Sequence, residues 1–511
     1  MQEKLRKTIF WFILIQPFLD IYWLYKPPLD RIFRFSIPTI LRIAGVVIIL
    51  CMFLSIRQNW QRIKTQWWLF AYLVVWALYC LAHLWSVNHF QTIDPASYGY
   101  SNASEIFYLL RMFLPLVILY VTQYADFSKR LFANAIKAVS ALFSGTIVLS
   151  NLFTISLTSY HSFAAKRISA NIFGWFGHHY YFSQLASKGF FFKANTVSAI
   201  LFMLLPLMLY FMTERFNTVN VVLVIVQALA MTMLGTKVGL YGLFAGLLVY
   251  LVIYAGHVWL QKDVKFDKKV VITIVALLAC ATLIKPYSPA SGRNQFVDSV
   301  VERRNPKKQE SALSRKLRRG LKKYHGQQER QFLKRFIKKH HVAYSLKPGF
   351  IYKSYSYKYD PYFWLHVMRM PVSQRINYRR VEVLMLNKVM ANNHQPRDKW
   401  LGISFIRENN IFPLERDFLA QIYSLGIIGM VLYLGFYVWT LLYAIINWFK
   451  AGKQRSLLLT TLIVSTGFVL IIAFYSGNVL DYLTASLLIA FIEGYLLTTI
   501  RKSKEPKKLN V

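Results

Sequence analysis

Acidic residues are scarce in this chain. Against 22 Asp and Glu stand 61 Lys and Arg in 511 residues, for a formal net charge of +39. So one-sided a balance points to nucleic acid, an anionic membrane surface or an acidic substrate as partner. No nucleic-acid-binding module is recognisable and the bases flank apolar runs, so no nucleic acid is expected. Cysteine is rarer still: Cys51, Cys80 and Cys280 all lie inside hydrophobic runs, which excludes a disulfide framework and a cysteine zinc site. His178-His179 and His340-His341 lack metal-ligand spacing, so no structural metal site is expected, and no cofactor is called for. Metal dependence of catalysis stays open. The N-terminal MQEKLRK and the apolar run after it lack a small-residue cleavage site; they read as a retained first span, not a signal peptide.

What is abundant is apolar. Hydrophobic residues make up 56% of the chain and aromatics 16%, with mean hydropathy +0.36. A soluble domain of that composition would have no polar surface left to cover itself. Apolar runs of about 18 residues or more are the mark of transmembrane helices. They fall near 8–25, 37–56, 67–86, 106–123, 133–157, 194–213, 220–235, 238–256, 270–285, 418–447, 457–475 and 480–499, the seventh and ninth being short. The fold class is therefore all-α: a polytopic transmembrane helical bundle of about 12 spans with one long extracytoplasmic loop between spans 9 and 10. The organisation is spans 1–9 over 1–285, the loop over 286–417, and spans 10–12 with a tail over 418–511.

Orientation follows from Lys/Arg bias in the short loops. Lys4, Arg6 and Lys7, then Arg57, Arg62 and Lys64, then Lys129, Arg130 and Lys137 lie on one side, whereas 87–105 on the other contains no Lys or Arg. Both termini are thus expected in the cytoplasm. The basic loop 286–417 falls outside, without breaking the rule, which is not counted over loops beyond about 60 residues.

The loop has two parts. In 302–341 positive charge is dense, and Leu313, Leu317 and Leu321, then Phe332 and Phe336, recur every four residues. That spacing gives basic helices with a narrow apolar stripe, resting on a membrane surface or on the protein, or else a solvated or disordered arm. In 342–417 aromatics crowd between charges, as in YKSYSYKYDPYFWLH; such rings suit either sugar stacking or an interfacial belt. Further on, QRINYRRVEVLML offers Arg375, Arg379 and Arg380, the first two at i, i+4 on a helix face. The loop ends in DKWLGISFIRENNIFPLERDFLAQIYSLGIIG, where Glu415, Arg416 and Asp417 stand at the start of a span and Gly426 and Gly429 allow close helix contact.

These residues carry a resemblance. The chain resembles the O-antigen ligase and polysaccharide polymerase membrane proteins, whose outer loop closes with a glycine-containing turn, a His or acidic position, and a helix with paired glycines. Leu401-Gly402-Ile403-Ser404 matches the turn, with Ser404 where a second glycine is common, and Gly426-Ile427-Ile428-Gly429 matches the helix. Glu415 stands where many relatives carry the histidine. GFFFKANTVSAILFMLLPL is similar to a further motif and places Asn195 and Pro206; LGTKVGLYGLFAGLLVYL places Gly235 and Lys237.

The resemblance implies a glycosyltransferase of the bacterial cell membrane, with a polyprenyl-diphosphate-linked glycan donor and a glycan or lipid acceptor. Polymerisation is favoured over ligation, and other polysaccharide assembly proteins are further partners. Cations would stabilise the departing diphosphate, with Arg375, Arg379, Arg380, Lys237 and Arg111 as candidates. A carboxylate would take the acceptor proton: Glu415, with Asp417 in reserve, the two about 200° apart on an ideal helix. Asn195 and Gly402 would line the substrate. Glu415 reads equally as a helix N-terminal carboxylate favoured by the macrodipole. Among charges at membrane depth, Asp20, Arg42, Arg111, Lys237, Asp481 and Glu493 suggest function by default, though pairing or snorkelling explains those near span ends. A flippase or exporter would also be helical and basic, but many transporters show an internal duplication that is not evident here; a scaffold for surface assembly is the third class.

The orientation is testable in a background without native cysteines. Gln328→Cys should react with a membrane-impermeant maleimide in intact cells and Lys265→Cys only after lysis; the reverse pattern would invert the topology.

Overall fold

The computed structural model describes residues 1–25, 36–161, 164–177, 180–303, 309–376, 378–452 and 455–504. His178, His179 and the C-terminal tail from 505 lie outside the described residues. Helices dominate, and among the described residues pairing between extended segments is limited to three isolated bridges, such as Leu157 with Arg167. Among the described residues ten helices are long and apolar enough to cross a membrane, from Ile37–Leu54 to Leu483–Lys504. Two of the expected spans fall on shorter helices, Gln2–Ile15 and Thr218–Met233. The first ends early because Pro17 and a 3₁₀ turn over Phe18–Asp20 follow it. The short ninth run becomes Lys268–Tyr287, 20 residues, once the turn at its end is included.

The chain forms two compact units: Met1–Leu73 with Leu110–Arg293 and Tyr433–Val511, and Val74–Leu109 with Asn294–Leu432. In the first, Ala194–Glu214 is the central helix, with 94% of its apolar window buried. Around it pack Lys129–Leu152, Thr218–Met233, Lys237–Gly256, Leu457–Tyr475 and Leu483–Lys504. Lipid gives helices no hydrophobic reason to associate, so small residues that allow close packing carry the bundle. Gly242 lies on the Phe202 ring and Gly246 on Leu205, one turn apart. Lys268–Tyr287 is the opposite case, with only 17% of its window buried.

The second unit holds the long loop. Gln309–Lys323 and Gly326–His340 are helices, and their apolar stripe is spent on protein. Leu317, Leu333, Phe336 and Ile337 belong to the buried core of this unit, with Leu313, Leu321 and Phe332 packed against it. The crowded aromatics divide. Tyr355, Phe363 and Trp364 are core, Trp364 donating to the Tyr355 carbonyl at 2.8 Å, while Tyr352, Tyr359 and Tyr362 remain exposed. Much of the sequence's aromatic signal here is core packing rather than belt or sugar platform.

Helix Asp417–Lys450 is interrupted at Gly426, whose φ is +73°. A Cβ there would collide with the Trp400 carbonyl group, so both conformation and space demand glycine. Gly426→Ala should lower stability by about 1–3 kcal/mol, read as a drop in the thermal unfolding midpoint in detergent. Gly467→Ala, with nothing within 4 Å of the new Cβ, should be neutral or slightly stabilising.

Candidate functional site

In the second unit the turn Leu401–Ser404 and the segment Tyr423–Gly426 run side by side. The Ile403 and Ser404 amides donate to the carbonyls of Tyr423 and Ser424 at 2.8 and 3.0 Å. Gly402, at φ +80°, faces the Gly426 amide so closely that a Cβ would come within 2.6 Å of it. The two glycines that stand in different motifs of the sequence are therefore one contact. Ser404 adopts φ +97°, a conformation that favours glycine and costs a serine about 1–3 kcal/mol. Its hydroxyl offsets that cost: it donates to Glu105 Oε2 at 2.7 Å and accepts from the Ile406 and Arg407 amides at 3.0 and 3.3 Å.

Glu105 is fully buried and accepts from the Phe405 and Ile406 amides at 3.0 and 3.3 Å, capping helix Phe405–Ile411 where its N–H groups point outward. His83, also buried, contacts Glu105 Oε1 through Nε2 at 3.0 Å and the Leu401 carbonyl through Nδ1 at 2.6 Å. A carbonyl only accepts, so Nδ1 carries a proton, and a further proton lies between Nε2 and Oε1. Arg407 is buried between the rings of Phe90 and Tyr100 and donates to the carbonyls of Val87 and Ile403 and to Ser97. Burial lowers its guanidinium to about 10. With its donors so engaged it anchors the turn rather than receiving substrate. No sequence motif marks Glu105, His83 or Arg407, because their partners lie about 300 positions away.

Next along the chain is a half-open charged cluster. Arg379 Nη2 meets Glu415 Oε2 at 2.9 Å, their side chains 31% and 44% exposed. At that exposure an ion pair contributes about 0.2–1 kcal/mol, too little to explain the pair as a stability device. Burial, and after it the nearby Glu415 charge, raise the Glu382 carboxyl to about 7 against the opposing Lys347, Arg379 and Arg416. Lys347 lies 3.8 Å from the centre of the Tyr378 ring, and burial lowers its ammonium while Glu382 and Glu415 oppose that.

The expectation of Arg375 and Arg379 on one helix face does not survive. Arg375 lies in the short helix Val372–Ile376, and Tyr378 at φ +55° precedes helix Arg379–Asn393. Arg375 is 2% exposed, donating to the Tyr344 carbonyl at 3.0 Å; Arg380 is exposed. The ideal-helix comparison of Glu415 with Asp417 fails too, because the helix begins at Asp417. Asp417 is buried at 2% exposure, whereas Glu415 sits in the preceding turn and is reachable.

The remaining candidates belong to the first unit. Arg111 pairs with Asp481 at 2.8 Å and also donates to its carbonyl. Lys237 is exposed at the first position of its helix, behind a Thr236 cap on the Gly239 amide. Asn195, half-buried, is the second residue of Ala194–Glu214. Arg42 is paired, not snorkelling: Gln16, Tyr25 and Thr484 take its donors at 2.8, 3.1 and 2.7 Å, and Thr484 donates on to Asp20 at 2.9 Å. Glu493 is buried, with no hydrogen-bond partner for either carboxyl oxygen among the described residues. One lysine, Lys188, goes unmarked by the sequence motifs. Lys188 donates to the carbonyls of His161 and Phe192, and burial followed by the charge of Lys193 lowers it to about 8. Among the described residues no group of three His, Cys, Asp or Glu side chains is placed to hold a metal ion.

The Glu382 shift sets a pH dependence. A carboxyl held at about 7 in the fold, against 4.5 ordinarily, binds its proton more tightly folded than unfolded. Stability therefore falls as pH rises from about 4.5 to about 7, then levels off. Glu382→Gln should remove this slope, so its advantage in unfolding midpoint should grow between pH 5 and pH 7 and stay constant above about pH 8. A constant offset across that range would mean that Glu382 is already ionised at pH 5.

No curated protein matches the chain. A family model described as O-antigen ligase like membrane protein matches residues 2–503, nearly its whole length. With its membrane-length helices and the turn-and-glycine contact built above, the chain is a multi-pass membrane protein of surface polysaccharide assembly, a glycan-transfer enzyme that belongs to the O-antigen ligase like membrane protein family.

Proposed function

We propose that the protein transfers glycan repeat units from a polyprenyl-diphosphate-linked donor to a glycan or lipid acceptor, preferentially polymerising them. The reaction takes place on the outer face of a bacterial cytoplasmic membrane, with both chain termini inside. The observation that carries this reading is Glu415, a reachable carboxylate oriented by Arg379 at 2.9 Å in a turn just ahead of a membrane-length helix.

In the proposed step the acceptor hydroxyl oxygen bonds to the anomeric carbon of the donor sugar while the bond from that carbon to the diphosphate oxygen breaks. The electron pair leaves with the diphosphate and the hydroxyl proton passes to Glu415. Arg379 positions the base and, with exposed Arg380 and Arg416, supplies positive charge where negative charge develops. Arg375 and Asp417, both buried, hold the framework; Gly402 shapes the turn. Within the first unit, Lys237, Arg111 and Asn195, with Lys188 and Lys193, are the candidates for holding an anionic group. An anionic membrane surface suits the basic short loops, and other polysaccharide assembly proteins complete the set of partners.

Glu415→Gln keeps shape and hydrogen bonding but removes the proton acceptor. Transfer from a defined lipid-diphosphate repeat unit should fall by about 10²–10⁴-fold, with protein level and donor binding retained. Asp417→Asn should leave the rate near normal where the protein folds. Normal transfer in Glu415→Gln would move the base elsewhere, and normal transfer in both would leave electrostatic stabilisation as the main catalytic effect.

A further inference from the structure

The helices Gln309–Lys323 and Gly326–His340 bury their apolar sides in the second unit and turn their basic sides outward. The first carries six Lys and Arg against one Glu, the second five against one. Arg318, Arg319, Lys322 and Arg335 are exposed and form no ion pair among the described residues. Arg318 and Lys322 lie one helical turn apart, where like charges destabilise a helix. A face kept so, with a single Glu on each helix against six and five bases, suits an anionic partner. A membrane surface fits poorly, because an interfacial helix must put its apolar face among the lipids, and here that face is already occupied by Leu317, Leu333 and Phe336.

Next to this face is a place for a sugar. Helix Gly326–His340 packs on Pro361–Arg369, and Arg330 donates to the Tyr359 carbonyl at 2.8 Å. Pro361–Arg369 and Arg379–Asn393 then line an open pocket of about 460 Å³ that includes Tyr362, His366, Asn387 and Lys388, within the roughly 300–1,000 Å³ range of small-ligand sites. Tyr362 is 45% exposed and offers a ring face. His366 and the Asn387 side-chain amide, whose Oδ1 accepts from the Tyr423 hydroxyl, supply polar atoms, and Lys388 a cation 3.9 Å from Asp360. The one carboxylate of the lining, Asp360, is already engaged, by the Tyr355 hydroxyl at 3.0 Å and the Phe363 amide at 3.0 Å.

We propose that this surface binds an acidic glycan, a saccharide chain bearing carboxylate or phosphate groups. One sugar sits against Tyr362 in the pocket, and the acidic groups lie along the basic helices. The proposal rests on the glycan-transfer reading and adds to it the charge class of the glycan handled.

The test uses the full chain in phosphatidylcholine nanodiscs. A fluorescent oligogalacturonate is the probe, and a neutral dextran oligomer of equal length is the comparator, with no donor present. Oligogalacturonate should bind at least tenfold more tightly than dextran. The quadruple variant R318Q/R319Q/K322Q/R335Q, all surface changes, should lose at least tenfold in affinity with an unchanged unfolding midpoint. Tyr362→Ala should weaken binding several-fold, for the acidic oligomer at high salt as well. Equal binding of the two oligomers, or full binding by the quadruple variant, would overturn the proposal. So would displacement of the probe by phosphatidylglycerol vesicles that bind the wild type and not the variant, which would make the face a membrane contact. Because binding is read without transfer, its outcome is separate from that of Glu415→Gln: a variant still active there would end the carboxylate mechanism and leave this site standing.

Discussion

A carboxylate removed from water has to be surrounded by donors, and much of the second unit is arranged to meet that need at Glu105. Ser404, the amides of Phe405 and Ile406, and His83 converge on its two oxygens. Breaking one side of such a group costs several kcal/mol, which makes the position of helix Phe405–Ile411 an obligation rather than a preference. From that helix Glu408 accepts from the Leu414 amide at 2.8 Å, so the turn that presents Glu415 is tied to the same buried charge. The position of Glu415 is thus fixed through a different, inaccessible carboxylate. The same contrast, one acid buried and one left reachable, recurs at Asp417 and Glu415.

The first unit solves the same problem with cations. Arg42 is as buried as any apolar side chain around it, yet its donors are met by Gln16, Tyr25 and Thr484, and Asp20 closes the network through Thr484. A buried network in which the cation is satisfied rigidifies its surroundings. Lys188 is treated differently: backbone carbonyls of His161 and Phe192 hold its ammonium, and its charge is only partly countered by an acid.

The fold class was legible because membrane-length apolar runs declare themselves without any knowledge of tertiary contacts, and the ten long helices fall on such runs. The family was legible through order: the glycine turn, Glu415 and the paired glycines follow one another along the stretch that the family model also spans. Local conformation was not. Nothing in QRINYRR announces the positive φ at Tyr378, so counting i, i+4 from Arg375 to Arg379 runs through a break in the helix. Nor could the stretch 87–105 reveal Glu105, since its meaning is supplied by Ser404, 299 positions on. The basic helices show a third kind of limit. Their stripe of leucine and phenylalanine fits a lipid surface and a protein core equally well, and only the packing of Leu317 and Phe336 decides between them.

The contrast between Ala194–Glu214 and Lys268–Tyr287 has a consequence for how this sequence can drift. At 94% burial nearly every side chain of the first answers to a neighbour's shape, and exchanges of even one methylene are felt. At 17% the second answers almost entirely to its surroundings, where Leu, Ile, Val and Phe are close to interchangeable. Ile272 and Val275, both half or more exposed, belong to a stretch that can wander through apolar alphabets without altering the protein. Two helices of similar hydropathy therefore carry very different amounts of information, and similarity along the second says little about common ancestry.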